Sequence, residues 1–450
     1  MRALPLVASI PALLSVCAIG CGGDPALRAA RNGDLVAMGH ALDEQASAGK
    51  LDAAEARAVS KELLQHDLAR YSGDEGVRRV GALTSCAPQL RDSLRTLAEG
   101  SDDLAAAAAR LLVDSNAVAV DAFADSHRDD ASPAWRAVAT RGLVDGSEAA
   151  LRAVRARDDD QGVRRAAIDA ASECGCAGDF PLLLDAARHD PVAIVRIDAI
   201  RGLSSISDRL DGDGVRAELV DRLADLWKGG EESVRGAVAR ALTAPSLVEA
   251  GGRGQLESIA SSDEGHAGVE AAAALMSIGG GDGEQRLAHL ALIGDAGVRS
   301  HALRLLDPMR ASHLETLHRA MAKPKQGGDD DALAREIAAE SIASLPEERA
   351  AKLAKVDGVD VRQEAIAALR ELLSRTDRIG TEAALALARL GDDSVHARLV
   401  AELATKSPMR PRIAAALLRL GHPEDLRGAL ADGDVDARDG VACAVLGAPR

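Results

Sequence analysis

The side chains able to do chemistry are few and scattered. Beyond the first two dozen residues the cysteines are Cys86, Cys174, Cys176 and Cys443. Cys174-Gly175-Cys176 admits three readings: ordinary packing, a disulfide, or a pair of metal ligands. Structural zinc sites need paired cysteines at wider spacing with further ligands, and none stands nearby, so packing is the first reading, a disulfide the second and metal the third. A bond between Cys86 and Cys443 would require opposite ends of the chain to meet, so these two are read as unjoined. His289, His301, His313 and His318 form no His-Glu-x-x-His arrangement and fall on several helices rather than on one metal face. Asp432, Asp434 and Asp436 have the alternation of a calcium loop, but Ala437 and Cys443 stand where that loop needs Gly and Glu. They fit a helix start better. Asp329-Asp330-Asp331 reads as a solvated loop before a helix, with a weak divalent-ion contact left open. Gly279-Gly280-Gly281-Asp282-Gly283 lacks the Lys-Ser/Thr of a phosphate loop, and no Gly-x-Ser-x-Gly elbow occurs. The chain therefore reads as non-enzymatic, with no cofactor and no metal.

The elements that would position these residues are helices. Of 450 residues 47% are apolar, yet the aromatics are only Tyr71, Phe123, Phe180, Trp135 and Trp227. Sheet proteins lean on β-branched and aromatic residues, whereas Ala- and Leu-rich sequence with 28% charge suits closely packed helices. Few aromatics leave little to stack bases on. The net charge of −16 opposes a phosphate backbone, which is bound by clustered Lys and Arg. Nucleic acid is excluded as a partner on both grounds. Length alone would allow about three domains.

A repeat replaces that count. Val-Arg pairs preceded by acidic or Gly residues recur at Val77-Arg78, Val163-Arg164, Val195-Arg196, Val234-Arg235, Val298-Arg299 and Val361-Arg362, with weaker echoes at Trp135-Arg136, Val269-Glu270, Ala334-Arg335, Arg410 to Arg412 and Val435 to Arg438. From Arg136 onward neighbouring anchors are mostly about 26 to 39 residues apart, a period typical of stacked repeats. After each anchor the apolar residues keep to one helical face: Val298, Ala302, Leu305 and Leu306 sit at the same offsets as Val234, Val238, Ala241 and Leu242. Acids before the anchors suit helix N-termini. Gly391 and Gly421 suit helix stops. Each unit is thus two short helices and a tight turn, too small to bury its apolar face alone. The expected architecture is all-α: one elongated α-solenoid of roughly a dozen stacked two-helix repeats.

These residues resemble the HEAT repeat family, in particular its short bacterial form, over residues 70 to 447. The resemblance implies a polar ladder along the solenoid, built from Asp158, Asp190, Asp295 and Asp357 with Arg164, Arg196, Arg235, Arg299 and Arg362. Glu270 in the arginine position and a Gly-rich acidic insertion from Pro324 to Asp331 depart from the pattern. Residues 27–70 lack the Val-Arg signature and read as an N-terminal helical cap to a solenoid of residues 71–450, because a terminal repeat needs a polar outer face.

The first residues are set apart. Arg2, the apolar run Ala3 to Gly20 and the polar linker after it have the architecture of an export signal. Ala18-Ile19-Gly20-Cys21 resembles the lipobox of bacterial lipoproteins, which implies residues 1–20 as signal peptide, lipidation at Cys21 and residues 21–26 as linker. Ordinary secretion and an uncleaved anchor are the alternatives. Gly22 stands where enterobacterial lipoproteins kept in the inner membrane carry Asp, which leans toward the outer membrane. The expected function is a lipid-anchored envelope scaffold that binds a protein or peptide partner along the solenoid. The alternative comes from the resemblance to bilin lyases: a lyase-type or chaperone-type protein acting on a tetrapyrrole-like ligand or a protein substrate.

Overall fold

A computed structural model describes residues 24–322, 328–346, 348, 355–356 and 359–448. Residues 1–23, the expected signal segment with Cys21, and Asp357 in the repeat lie outside the described residues. The fold is an all-α solenoid. Its strands, among the described residues, are two-residue pieces, Lys355–Val356 antiparallel to Val359–Asp360.

Local chemistry sets where the helices start and stop. Asp52, Asp102, Asp160, Asp295 and Asp434 each accept a backbone N–H from the first turn of the helix they precede, which satisfies donors that the helix cannot. Gly175 and Gly421 close helices in the left-handed conformation, at φ 59° and 90°, where a Cβ would be strained. Between start and stop the Val of most anchors is buried: Val163, Val195, Val234, Val298 and Val361 are all 2% exposed or less, while Val77 is half-buried. Alanine supplies much of the remaining core and lets helices approach closely.

The helices form two layers. The second helices of successive units touch one another in an unbroken series from Gly73–Ala82 and Asp103–Asp114 through Gln161–Cys174, Ala193–Ile206 and Glu232–Ala241 to Arg410–Leu420 and Val435–Gly447. Most of the first helices touch their counterparts less, and Phe180–His189 and Asp213–Gly229 hardly touch each other. Packing that is close in one layer and splayed in the other curves the stack, with the second helices on the inside.

That curvature brings the ends together, so the expected elongated array is corrected to a closed ring. The last helix, Val435–Gly447, packs against Ala53–Leu68 and the 3-10 segment Thr84–Leu90. Leu35–Ser47 lies on the last outer helix, Arg427–Leu430, where Arg427 pairs with Asp43 at 2.8 Å. Residues 27–70 therefore do not terminate the stack: they are the surface on which its far end docks. Cys86 and Cys443, read from sequence as unjoined, are disulfide-bonded with Cα atoms 5.3 Å apart across 357 residues of chain. Their separation in sequence said nothing about distance once per-unit curvature had summed to a full turn.

Candidate functional site

The ladder is built by one repeated geometry. Arg136, Arg164 and Arg196, at the starts of inner helices, each reach back to the carbonyl six residues before them and forward to a carboxylate of the next unit. Arg136 donates to Asp130 O and to Asp158, and Arg164 to Asp158 O and to Asp190 at 2.8 Å. Arg196 donates to Asp190 O and to Glu231, and Arg235 to Asp263 at 2.7 Å. The carboxylates are fixed in turn: Asp158 and Asp190 accept the backbone N–H two residues on. Burial alone would raise the Asp158 carboxyl, but Arg136 and that N–H hold it below the ordinary range.

Two expected rungs are absent. Asp295 caps its own helix through Val298 N but receives no arginine, because the preceding anchor position holds Glu270, which pairs instead with Arg240 at 2.6 Å and His301 at 3.1 Å. The series resumes with Arg299 to Asp331 at 3.1 Å. Among the described residues Arg362 donates to Ala343 O and to no carboxylate. Its helix, Val361–Leu372, meets the outer helix Ala311–Met321 through Glu364 and His318, so this Val-Arg pair opens an outer helix. The inner position of that unit is taken by Arg378–Arg389, which lacks the motif.

The ladder closes on itself. Arg438 donates to Asp432 O, six residues back, and to Asp67 at 2.6 Å, at the far end of the sequence. Both side chains are nearly inaccessible. Beside them the Tyr71 hydroxyl donates to Asp439, whose carboxyl is pushed up to about 7, chiefly by burial and further by Asp67, against the lowering hydrogen bond from Tyr71. This seam was missed in the sequence because Asp67 and Tyr71 belong to no repeat motif.

Cys174 and Cys176 are bonded to each other, the second of the three sequence readings. The metal reading is disfavoured by Arg152, which is wholly buried and donates to Asp179 at 2.7 Å, to the carbonyls of Leu143 and Asp145 at 2.7 Å, and toward Cys174 Sγ at 3.5 Å. A guanidinium already neutralises the acid that a cation would need. Trp135 is buried and stacks on His127 at 3.7 Å, while Trp227 is half-buried beneath Arg235; both pack.

The inner face carries one large recess, about 880 Å³, across four consecutive inner helices: Ala296–Leu305, Asp329–Ala343, Arg378–Arg389 and Arg410–Leu420. Its lining includes Glu336, Glu340 and Glu382 beside Arg389 and Arg412. Arg412 forms a two-bond fork to Glu382 at 2.7 and 2.8 Å, and Arg389 pairs with Glu340. Glu336 is left over. It is 3% exposed and its Oε1 has no partner among the described residues. Burial, then the neighbouring Glu340 and Glu382, push its carboxyl up to about 8. An unpaired buried acid is costly, and here it faces open space that a ligand could fill. The sequence signal was faint: an acid at 336 flanked by Ile337, Ala338 and Ala339.

No protein-family model matches the chain, and no curated protein matches it. Similar solved structures include an engineered protein, 20% identical over 83% of this chain and 99% of its own, with a TM-score of 0.26. Another is YibA of Escherichia coli, 18% identical over 67% and 97% with a TM-score of 0.33. UNC-45 from Drosophila melanogaster is 12% identical over 93% and 66% with a TM-score of 0.31.

Proposed function

We propose that the chain is a non-catalytic, lipid-anchored scaffold of a bacterial cell envelope, a HEAT-like ring that binds a protein or peptide partner on its inner face. The observation that supports partner binding is the recess around Glu336. A Lys or Arg side chain entering it would supply the charge that the buried carboxyl lacks, and the rim ion pairs of Arg412 and Arg389 would fix the orientation. The apolar-poor rim and the scarcity of aromatic walls argue against a tetrapyrrole there.

Export is supported by the lipobox-like Ala18-Ile19-Gly20-Cys21 and by the pairing of all four remaining cysteines, which an oxidising compartment preserves. Lipidation at Cys21 would leave only Gly22 and Gly23 before Asp24, which caps the helix Pro25–Asn32. Three residues reach roughly 11 Å, so the anchor would hold the ring against the bilayer close to its seam. Gly22 favours the outer membrane.

The test places a photo-crosslinking side chain at Ser341 in the recess and, separately, at Glu218 on the outer helix Asp213–Gly229, in the anchored protein in its own envelope. One partner crosslinked from Ser341 and not from Glu218, with the yield reduced about tenfold by Glu336→Gln, is expected. Equal labelling from both positions would defeat the inner-face reading. Cys21→Ser should release the protein from the membrane fraction; continued anchorage would defeat the lipoprotein reading.

A further inference from the structure

Two histidines from successive units meet on the outer layer, away from the recess and beside the outer elements of the seam. His396 opens the helix His396–Leu403, and His422 follows the left-handed Gly421 in the next unit. Their rings stack with centroids 3.9 Å apart and planes 26° from parallel. His396 Nε2 meets Asp425 Oδ2 at 2.6 Å. His422 meets Asp393 Oδ1 through Nε2 at 2.6 Å and Glu424 Oε1 through Nδ1 at 3.2 Å. One donor atom from each of His396, His422 and Asp425 lies within 4.8 Å of the other two.

We propose that His396, His422 and Asp425 bind a divalent transition-metal ion of the zinc class, with Asp393 or water completing a four-fold shell. Three carboxylates, those of Asp393, Glu424 and Asp425, converge on the two imidazoles, so a divalent ion would enter a cluster already rich in negative groups.

Zinc holds N and O ligands at roughly 2.0–2.2 Å in a tetrahedron, which sets ligand atoms roughly 3.3 Å apart, so the His396–Asp425 contact must open by less than about 1 Å, the wider pairs must close from within 4.8 Å, and the two rings must turn out of their stack to aim their nitrogens at one point. Glu424 on Nδ1 would then act as the outer carboxylate that orients a ligating imidazole. The supporting backbone is fixed: the αL residues Gly391 and Gly421 start both turns, and Asp392 is held by Arg370 at 2.8 Å and by Ser394 N. Each of the three ligands is half-buried, so the ion has a way in. The triad Cys174, Cys176 and Asp179 offers no rival, since Arg152 occupies it.

The test uses the untagged mature chain, oxidised so that its cysteines stay joined, titrated with Co²⁺ as a visible probe and with Zn²⁺ by calorimetry. One ion per chain, with tetrahedral Co²⁺ absorption displaced by Zn²⁺, is expected. His396→Ala/His422→Ala should abolish the absorption, and Glu424→Gln should weaken binding by about tenfold. No uptake at micromolar Zn²⁺, or uptake unchanged in the double variant, would overturn the site and leave two histidine–carboxylate ion pairs. Should the double variant lose its helical circular dichroism, Asp425→Asn, which keeps both rings, decides by the same criteria.

Discussion

The joint that closes the ring and the joints within it share a rung and differ in everything around it. Inside, as between Gln161–Cys174 and Ala193–Ile206, inner helix packs on inner helix, and Arg164 and Arg165 bridge the two units to Asp190 and Asp198. At the seam Arg438 makes the same bridge to Asp67, but the last helix packs on Ala53–Leu68 and Thr84–Leu90, the Cys86–Cys443 disulfide crosses it, and Arg78 and Arg79 both reach Asp436. An interior joint is also held by chain connectivity. The seam has none, and its extra bonds compensate for that. Closure thus converts a stack stabilised unit by unit into one in which no end is free to fray.

The disulfide is the strongest of these differences. In the chain-entropy account, joining residues 357 apart stabilises the native state by about 6 kcal/mol. Cys86→Ser/Cys443→Ser should therefore lower the unfolding free energy by several kcal/mol, whereas Cys174→Ser/Cys176→Ser, which releases a loop of two residues, should cost far less. Chemical denaturation of both variants checks this. Equal losses would show that the seam bond adds nothing by closing the ring.

Next come the matched rungs. Removing one partner of a buried ion pair typically costs about 3–5 kcal/mol, and Arg438→Ala and Arg164→Ala each leave a nearly inaccessible aspartate unpaired. The two should lose similar stability. In the disulfide-free background only Arg438→Ala should increase the radius of gyration in small-angle scattering, because only that rung holds the ends. Expansion in neither would mean that helix packing alone closes the ring.

What the sequence disclosed and withheld follows the same division. The interior rungs were legible because each is local: Val163-Arg164 fixes its helix start, and the next acid falls one period on. Asp295 and Arg362 misled because the motif was present while the rung depended on a second residue elsewhere, Glu270 in one case and the layer of the helix in the other. The seam was illegible for a stronger reason. Curvature arises from small differences in packing between layers, added over many units, and no window of sequence contains the sum. Glu336 was hidden similarly, since its lack of a partner is a property of four helices.

A third effect depends on pH. Asp439 has its carboxyl raised to about 7, first by burial, against an ordinary value near 4. Between those values the folded seam keeps the proton that the unfolded chain has lost, so its contribution to stability is full below about pH 4, falls as pH rises toward 7, and stays low above it. Asn at 439 still accepts from Tyr71 and never ionises. Asp439→Asn should therefore raise the melting temperature relative to the parent at pH 8 and lose that advantage near pH 4. Glu336, raised to about 8, has the same sign, but its remedy is a ligand: a basic peptide should bind more tightly as pH rises through 8, measured by calorimetry, and pH-independent binding would detach the recess from the partner.

The smallest effect comes from the most conspicuous contacts. Arg78 meets Asp436 at 2.6 Å across the seam and Glu75 within its own helix. Yet Arg78, Glu75 and Asp436 are all close to half exposed, so water competes for each charge and the pair is screened by salt. Arg79 remains to hold Asp436 at 2.9 Å. Arg78→Ala should cost little stability, and the loss should vanish in high salt, whereas that of Arg438→Ala should persist. If Arg78→Ala proved as damaging as Arg438→Ala, position at the seam and not burial would set the worth of a bridge, and the distinction drawn between the closing rung and its exposed companions would fail.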